Sequence, residues 1–149
     1  MPASHAPPGY HSVTPYLLVS NIDAVIEFVE QAFDAQRVLR LVRPDGSVMH
    51  AEMRVDGSPI MFGEPGGQFE SMPGQVFVYV EDCDAAYASA LAAGGVSVME
   101  PTLMVHAGER YGGVRDPGGN VWWIANHVED LPPAEQQRRI EEIFGGEGG

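Results

Sequence analysis

Three residues able to do acid–base chemistry fall on alternate positions of one short run. His50, Glu52 and Arg54 interleave with Met49, Ala51, Met53 and Val55 in the stretch VMHAEMRV. In a β-strand that spacing puts all three on one face. An imidazole beside a carboxylate is an acid–base pair, and a guanidinium steadies an oxyanion. The same His50 and Glu52, joined by Gln75 from a distant strand, would be a candidate for holding a divalent cation. Rows of carboxylate, imidazole and guanidinium are common without a metal, so the sequence favours a hydrogen-bonded row. Two further runs alternate in the same way. Gln75, Phe77 and Tyr79 interleave with Val76, Val78 and Val80, and Thr14, Tyr16 and Leu18 with Val13, Pro15, Leu17 and Val19. The more apolar face of each should pack under a helix, which leaves the mixed faces free. Cys83 is the only cysteine, so an intramolecular disulfide and a cysteine-rich zinc site are both excluded. Its acidic neighbours Glu81, Asp82 and Asp84 oppose a reactive thiolate.

The chain has 149 residues and a formal net charge of −13. That charge repels phosphate backbones and anionic headgroups, so neither nucleic acid nor a membrane surface is expected as a partner. No apolar run approaches the ~20 residues of a membrane helix. The first residues lack the basic start and apolar middle of a signal peptide, so a cytoplasmic protein is expected.

The elements that would position these side chains repeat. Residues 1–12 form an expected mobile tail without periodicity. Residues 13–63 read as strand, helix and three strands. The strands are at 13–19, 37–43, 48–55 and 59–63; the helix is capped by Asn21 and runs to Phe33. Ile22, Val25, Ile26, Val29 and Phe33 form its apolar stripe. Residues 64–74, rich in Gly and Pro, are a linker. Residues 75–128 then repeat the order: a strand at 75–80, a helix capped by Asp82 and ended by Gly94-Gly95, a short strand at 96–100, and an irregular stretch at 102–109. A hairpin over 110–127 closes the unit. Asp116-Pro117-Gly118-Gly119-Asn120 makes its turn, and Val121-Trp122-Trp123-Ile124 its second strand. Residues 48–63 have the same grammar: Tyr111 falls on His50, and Trp122-Trp123-Ile124 on Ile60-Met61-Phe62. A hairpin met twice points to a duplicated unit. Residues 129–149 hold a peripheral helix over 130–144 and a disordered glycine-rich end.

Two tandem βαβββ modules with DPGGN before an aromatic strand resemble the vicinal oxygen chelate superfamily. That superfamily includes glyoxalase I, bleomycin-resistance proteins, fosfomycin-resistance enzymes and extradiol dioxygenases. The phrases VTPYLLVSNIDAVIEFVEQAF, VMHAEM, YVEDCDAAYASALAAGG and RYGGVRDPGGNVWWIANH look most like its PhnB-like, glyoxalase/bleomycin-resistance branch. The resemblance implies an α+β fold in which the modules form a cupped mixed sheet, followed here by a C-terminal helix. It also implies a site often completed across a homodimer. Enzymes of the family hold a divalent metal with His, Gln or Glu on the first and last strands of each module. Those positions carry over to Thr14 and Met61, and to Gln75 and Trp123. Only Gln75 has suitable chemistry, because an indole offers a metal no lone pair. The expectation is therefore no metal and no other cofactor.

Within such a cup the lining would be Thr14, Tyr16, Arg54, Gln75, Phe77, Tyr79, Tyr111 and Trp123, beside His50 and Glu52. Flat rings with a few polar anchors suit a small-molecule pocket. The leading expectation is a homodimeric, metal-independent protein that binds an aromatic or cationic small molecule, such as an antibiotic or a biosynthetic intermediate. The alternative is a lyase, isomerase or cyclase in which His50 and Glu52 are the catalytic acid–base pair. A metal-dependent enzyme with a displaced site at His50 and Glu52 comes third.

Overall fold

The computed structural model describes residues 5–145. The glycine-rich end expected to be disordered lies, beyond Gly145, outside the described residues, as do the first four of the N-terminal tail. The first module comprises β1 (Tyr16–Leu18), α1 (Ile22–Phe33), β2 (Gln36–Val42), β3 (Val48–Val55) and β4 (Ser58–Gly63). The second comprises β5 (Gln75–Tyr79), α2 (Cys83–Ala92), β6 (Val96–Met104), β7 (Glu109–Arg115) and β8 (Val121–His127), and α3 (Pro133–Phe144) follows. Each module makes one four-stranded mixed sheet, in the orders β1-β4-β3-β2 and β5-β8-β7-β6. The first strand of each pairs in parallel with the last; the other pairings are antiparallel.

The registers are equivalent. Tyr16 and Glu52 both face Met61 in the first module, as Phe77 and Gly113 both face Trp123 in the second. His50 thus corresponds to Tyr111, and Thr14 to Gln75. The alternation of side chains follows. Leu17, Ala51, Met53, Ile60 and Phe62 bury on the helix side of one sheet, and Val78, Val114, Trp122 and Ile124 on that of the other. Helix α1 lies between them. Of its expected stripe Ile22, Val25, Ile26 and Val29 are buried and Phe33 is half-buried, and Phe28 and Ala32 are buried as well. The stripe is wider than expected because α1 serves two modules: Phe28 and Phe33 lie 6.3 and 5.3 Å from the Trp122 ring.

Several boundaries differ from expectation for local reasons. Strand β1 spans only Tyr16–Leu18. Pro15 has no N–H to donate, although its carbonyl still accepts from Met61 N at 3.0 Å. Asn21 adopts the left-handed conformation (φ 62°) and makes no side-chain cap, whereas Asp82 caps α2 by accepting from Ala85 N at 3.1 Å. Met49 does not share the buried face of Ala51 and Met53. The pairing of β2 with β3 jumps from His50 to Val48, so Met49 is a bulged residue and stands exposed while Val48 is buried. Strand β6 does not stop at Pro101 but continues to Met104. It is an edge strand with two register shifts, where a proline is tolerated. The linker is not structureless: Met72 N donates to Leu18 O at 2.7 Å, covering the open edge of β1. Helix α3 begins at Pro133 rather than residue 130 and buries no residue. Arg139 ties it to Val105 O and Glu129 at 2.9 and 3.0 Å. Among the described residues no helix is long and apolar enough to cross a membrane.

Candidate functional site

The sheet faces turned away from the helices carry the predicted site residues in two groups, one per module. In the first, His50 Nε2 lies 2.7 Å from Glu52 Oε2, with both side chains largely buried. Tyr16, more than half exposed, stacks on His50 with ring centroids 6.1 Å apart. Gly63 permits this, because a Cβ there would sit 2.0 Å from the Tyr16 hydroxyl. The other oxygen of Glu52 accepts the hydroxyl of Tyr10, a residue of the expected tail to which the sequence reading gave no role. Arg54 shares the face but directs its bonds elsewhere. It donates to Gly9 O at 3.1 Å and Gly57 O at 3.2 Å, and its guanidinium stands 5.2 Å from the Tyr10 ring centroid. Thr14 is half-buried just ahead of β1.

Burial would raise the pKa of Glu52, but hydrogen bonds from Tyr10 and His50 and the charge of Arg54 outweigh it and hold the carboxyl below its usual range. The same bond to Glu52 pushes the Tyr10 phenol up. Glu52 is thus a carboxylate at neutral pH and accepts only.

The second group is aromatic. Phe77 lies 5.3 Å from Tyr79 and 5.4 Å from Tyr111, and Tyr111 meets Trp123 edge-on at 6.0 Å. Phe77 and Tyr79 remain 44% and 57% exposed, so the row is a surface and not a core. Trp123 lies flat because β7 offers it no side chain at Gly113, where a Cβ would come within 2.6 Å of Trp123 Cζ3. Its indole N–H donates to Gln75 Oε1 at 2.7 Å. The Glu109 carboxyl beside it pushes the Tyr79 phenol up. A cleft of about 460 Å³ opens between the modules beside Phe77 and Tyr79, floored by Val13, Pro15 and Ile60. A cleft of about 580 Å³ at the far ends of α1 and β5 holds Tyr79 but none of the other predicted site residues.

The positions that would carry a metal do not fit one. Gln75 spends its acceptor oxygen on the Trp123 indole, and Trp123, Met61 and the neutral hydroxyl of Thr14 are poor or impossible ligands for a hard cation. Among the described residues no group of three or more His, Cys, Asp or Glu side chains stands where it could hold an ion. Cys83 is fully buried, and burial followed by the charge of Asp84 pushes its thiol up, so it is not a nucleophile. Arg110 is held in a two-pronged ion pair with Asp84 at 2.8 Å. Tyr10 and Gly113 escaped the sequence reading. Pro8-Gly9, a strong turn pair, was the available signal for the first, and Gly112-Gly113 opposite Trp123 for the second.

Known proteins share this architecture. An uncharacterized protein of Mycobacterium bovis is 32% identical over 139 residues, covering 85% of this chain and 90% of its own. The crystal structure of TioX from a Micromonospora species superposes with a TM-score of 0.63 at 22% identity, over 82% of this chain and all of the other. FosX, a fosfomycin resistance protein of Listeria monocytogenes solved as a mutant with Mn(II) and a dihydroxypropylphosphonic acid, gives 0.61 at 16% identity, over 87% and 98%. These two likenesses concern the fold. The family model described as Glyoxalase/Bleomycin resistance protein/Dioxygenase superfamily matches residues 9–124, and the chain belongs to that superfamily.

Proposed function

We propose that this chain binds a small aromatic or cationic molecule on its exposed sheet faces without a metal or other cofactor, and does so as a homodimer. The observation that carries this reading is the half-exposed row Phe77, Tyr79, Tyr111 and Trp123, which offers flat stacking surface where a soluble monomer gains nothing by exposing it. The Gln75–Trp123 bond supports metal independence, since it ties together two positions at which relatives place cation ligands. Glu52, an ionised carboxylate, and a net charge of −13 favour donors and cations over anions. The four quoted phrases support a place in the PhnB-like branch, within which an antibiotic or biosynthetic intermediate is a suitable ligand class.

A second reading rests on the 2.7 Å His50–Glu52 contact: an acid–base pair for a lyase, isomerase or cyclase. It is the weaker one, because both oxygens of Glu52 already accept hydrogen bonds and its lowered pKa makes it a poor base.

Native mass spectrometry of protein purified from its own host tests the reading in one step. The expected result is a dimer carrying an organic ligand and no metal. Titration calorimetry with Zn²⁺, Ni²⁺, Mn²⁺ and Fe²⁺ should show no stoichiometric binding. Tight binding abolished by His50→Ala would overturn metal independence. A recovered ligand that is chemically altered, with the change lost in Glu52→Gln, would favour the enzyme.

A further inference from the structure

The first-module face is occupied by the chain's own N-terminal segment. Tyr10 N donates to Pro7 O at 3.1 Å and Gly9 has φ 82°, so Pro7 to Tyr10 forms a turn with proline at its second place and glycine at its third. Those are the residues a type II turn requires. The turn delivers one phenol ring. Its hydroxyl reaches Glu52, its face meets the Arg54 guanidinium, and Arg54 also holds the turn through Gly9 O at 3.1 Å. Each contact is the kind a free ligand would make. An acceptor-only carboxylate selects a donor, and a guanidinium above a ring selects an aromatic. Behind the carboxylate, His50 fixes the other oxygen at 2.7 Å, so the acceptor is preorganised.

We infer that Glu52, His50 and Arg54 form a subsite for a hydroxyaromatic ligand, and that Tyr10 is its intramolecular occupant, displaced when a phenol binds. The inference rests on the reading of these faces as ligand-binding and names the ligand class for one of them. Tyr10 lies six residues before Tyr16, where β1 begins, and is held by the turn bond, the Glu52 contact and Arg54. A bound phenol would replace the Glu52 and Arg54 contacts like for like.

The test uses the full chain, its Tyr10→Ala variant and the double variant Tyr10→Ala/Glu52→Ala, with p-cresol as probe and 4-methylanisole as its donor-free analogue, read by ligand-observed NMR. If Tyr10 is seated about nine-tenths of the time, removing it raises apparent p-cresol affinity about tenfold. The expected result is that gain, absent for 4-methylanisole and abolished in the double variant. Equal p-cresol affinity in wild type and Tyr10→Ala, or weaker binding in the variant, would show Tyr10 to be a fixed part of the fold and overturn the inference. An equal gain for 4-methylanisole would overturn the hydroxyl selection. If p-cresol fails throughout while other aromatic compounds still bind, the inference fails and the broader function stands. If no aromatic compound binds either, both fail.

Discussion

Opposite Met61 the first module places Glu52; at the corresponding point, opposite Trp123, the second places Gly113. One register position therefore separates a polar face from an aromatic one. A carboxylate in a half-buried sheet face must be satisfied, so His50 and Tyr10 gather on it and the face is covered by the N-terminal turn. A glycine makes no such demand and leaves room, so the indole of Trp123 lies down and Tyr111 and Phe77 pack against it. The hairpin turns differ as well. Between β3 and β4, Asp56 and Gly57 take φ 47° and 82°, as a two-residue type I′ turn requires. Between β7 and β8 the turn is longer and organised by one buried side chain. Asp116 accepts from Gly118 N, Asn120 N, Asn120 Nδ2 and Trp122 Nε1 at 2.8–3.0 Å.

The turns give the largest expected difference. Asp116→Ala leaves the buried Trp122 N–H and Asn120 amide without an acceptor, a loss of about 3 kcal/mol or more. Asp56→Gly removes no side-chain hydrogen bond to the described residues and suits a positive φ, so it should fall within about 0.5 kcal/mol of wild type. Urea unfolding followed by far-UV circular dichroism measures both. Equal effects would mean that the two hairpins are held by the same forces and that the contrast is only apparent.

Next in size is the register position itself. Gly113→Ala forces the Trp123 ring from its bed and should cost about 1–3 kcal/mol by overpacking. The near-UV dichroism of the aromatic row should change with it. Unaltered spectra would place the indole elsewhere. The reciprocal change, Glu52→Gly, should free Tyr10 and cost less, because the groups released regain water.

These contrasts mark where the sequence could and could not be read. Strand β3 was legible in its bounds, because Val48–Val55 lies between two clear turns, but the bulge at Met49 was not. The duplicated hairpin was legible because DG and DPGGN are turn signals with a mechanism. Strand β6 was not, since Pro101 reads as a stop unless the strand is known to lie at a sheet edge. The same limit applied to Phe28. Helical periodicity marks one buried stripe, and only the docking of a second module explains why Trp122 needs another. Within the candidate site, His50 and Glu52 met as the i, i+2 spacing demands, while Arg54 turned to a tail whose Pro8-Gly9 turn has a local signal but whose docking on β3 has none.

The smallest expected effect separates the faces by pH. Glu52 has its carboxyl held low. Burial works against this, but the bonds from Tyr10 and His50 outweigh it. A lowered acid contributes stability that is complete above the ordinary glutamate value of about 4.3 and lost as pH falls through the folded value. At the end of β8, His127 is raised, first by Asp130, 2.6 Å from its Nε2, and then by Glu109. A raised base behaves in the opposite sense: its contribution is complete below about 6.5 and lost as pH rises through the folded value. Thermal melts from pH 3 to pH 9 on wild type, Glu52→Gln and His127→Gln should therefore diverge at opposite ends. Glu52→Gln should flatten the acid limb alone, and His127→Gln the limb above neutrality alone. Because His127 is half exposed and screened by solvent, its limb should be the shallower. A steeper alkaline limb, or one unchanged in His127→Gln, would mean that the contacts of His127 with Asp130 and Glu109 do not set stability above neutrality.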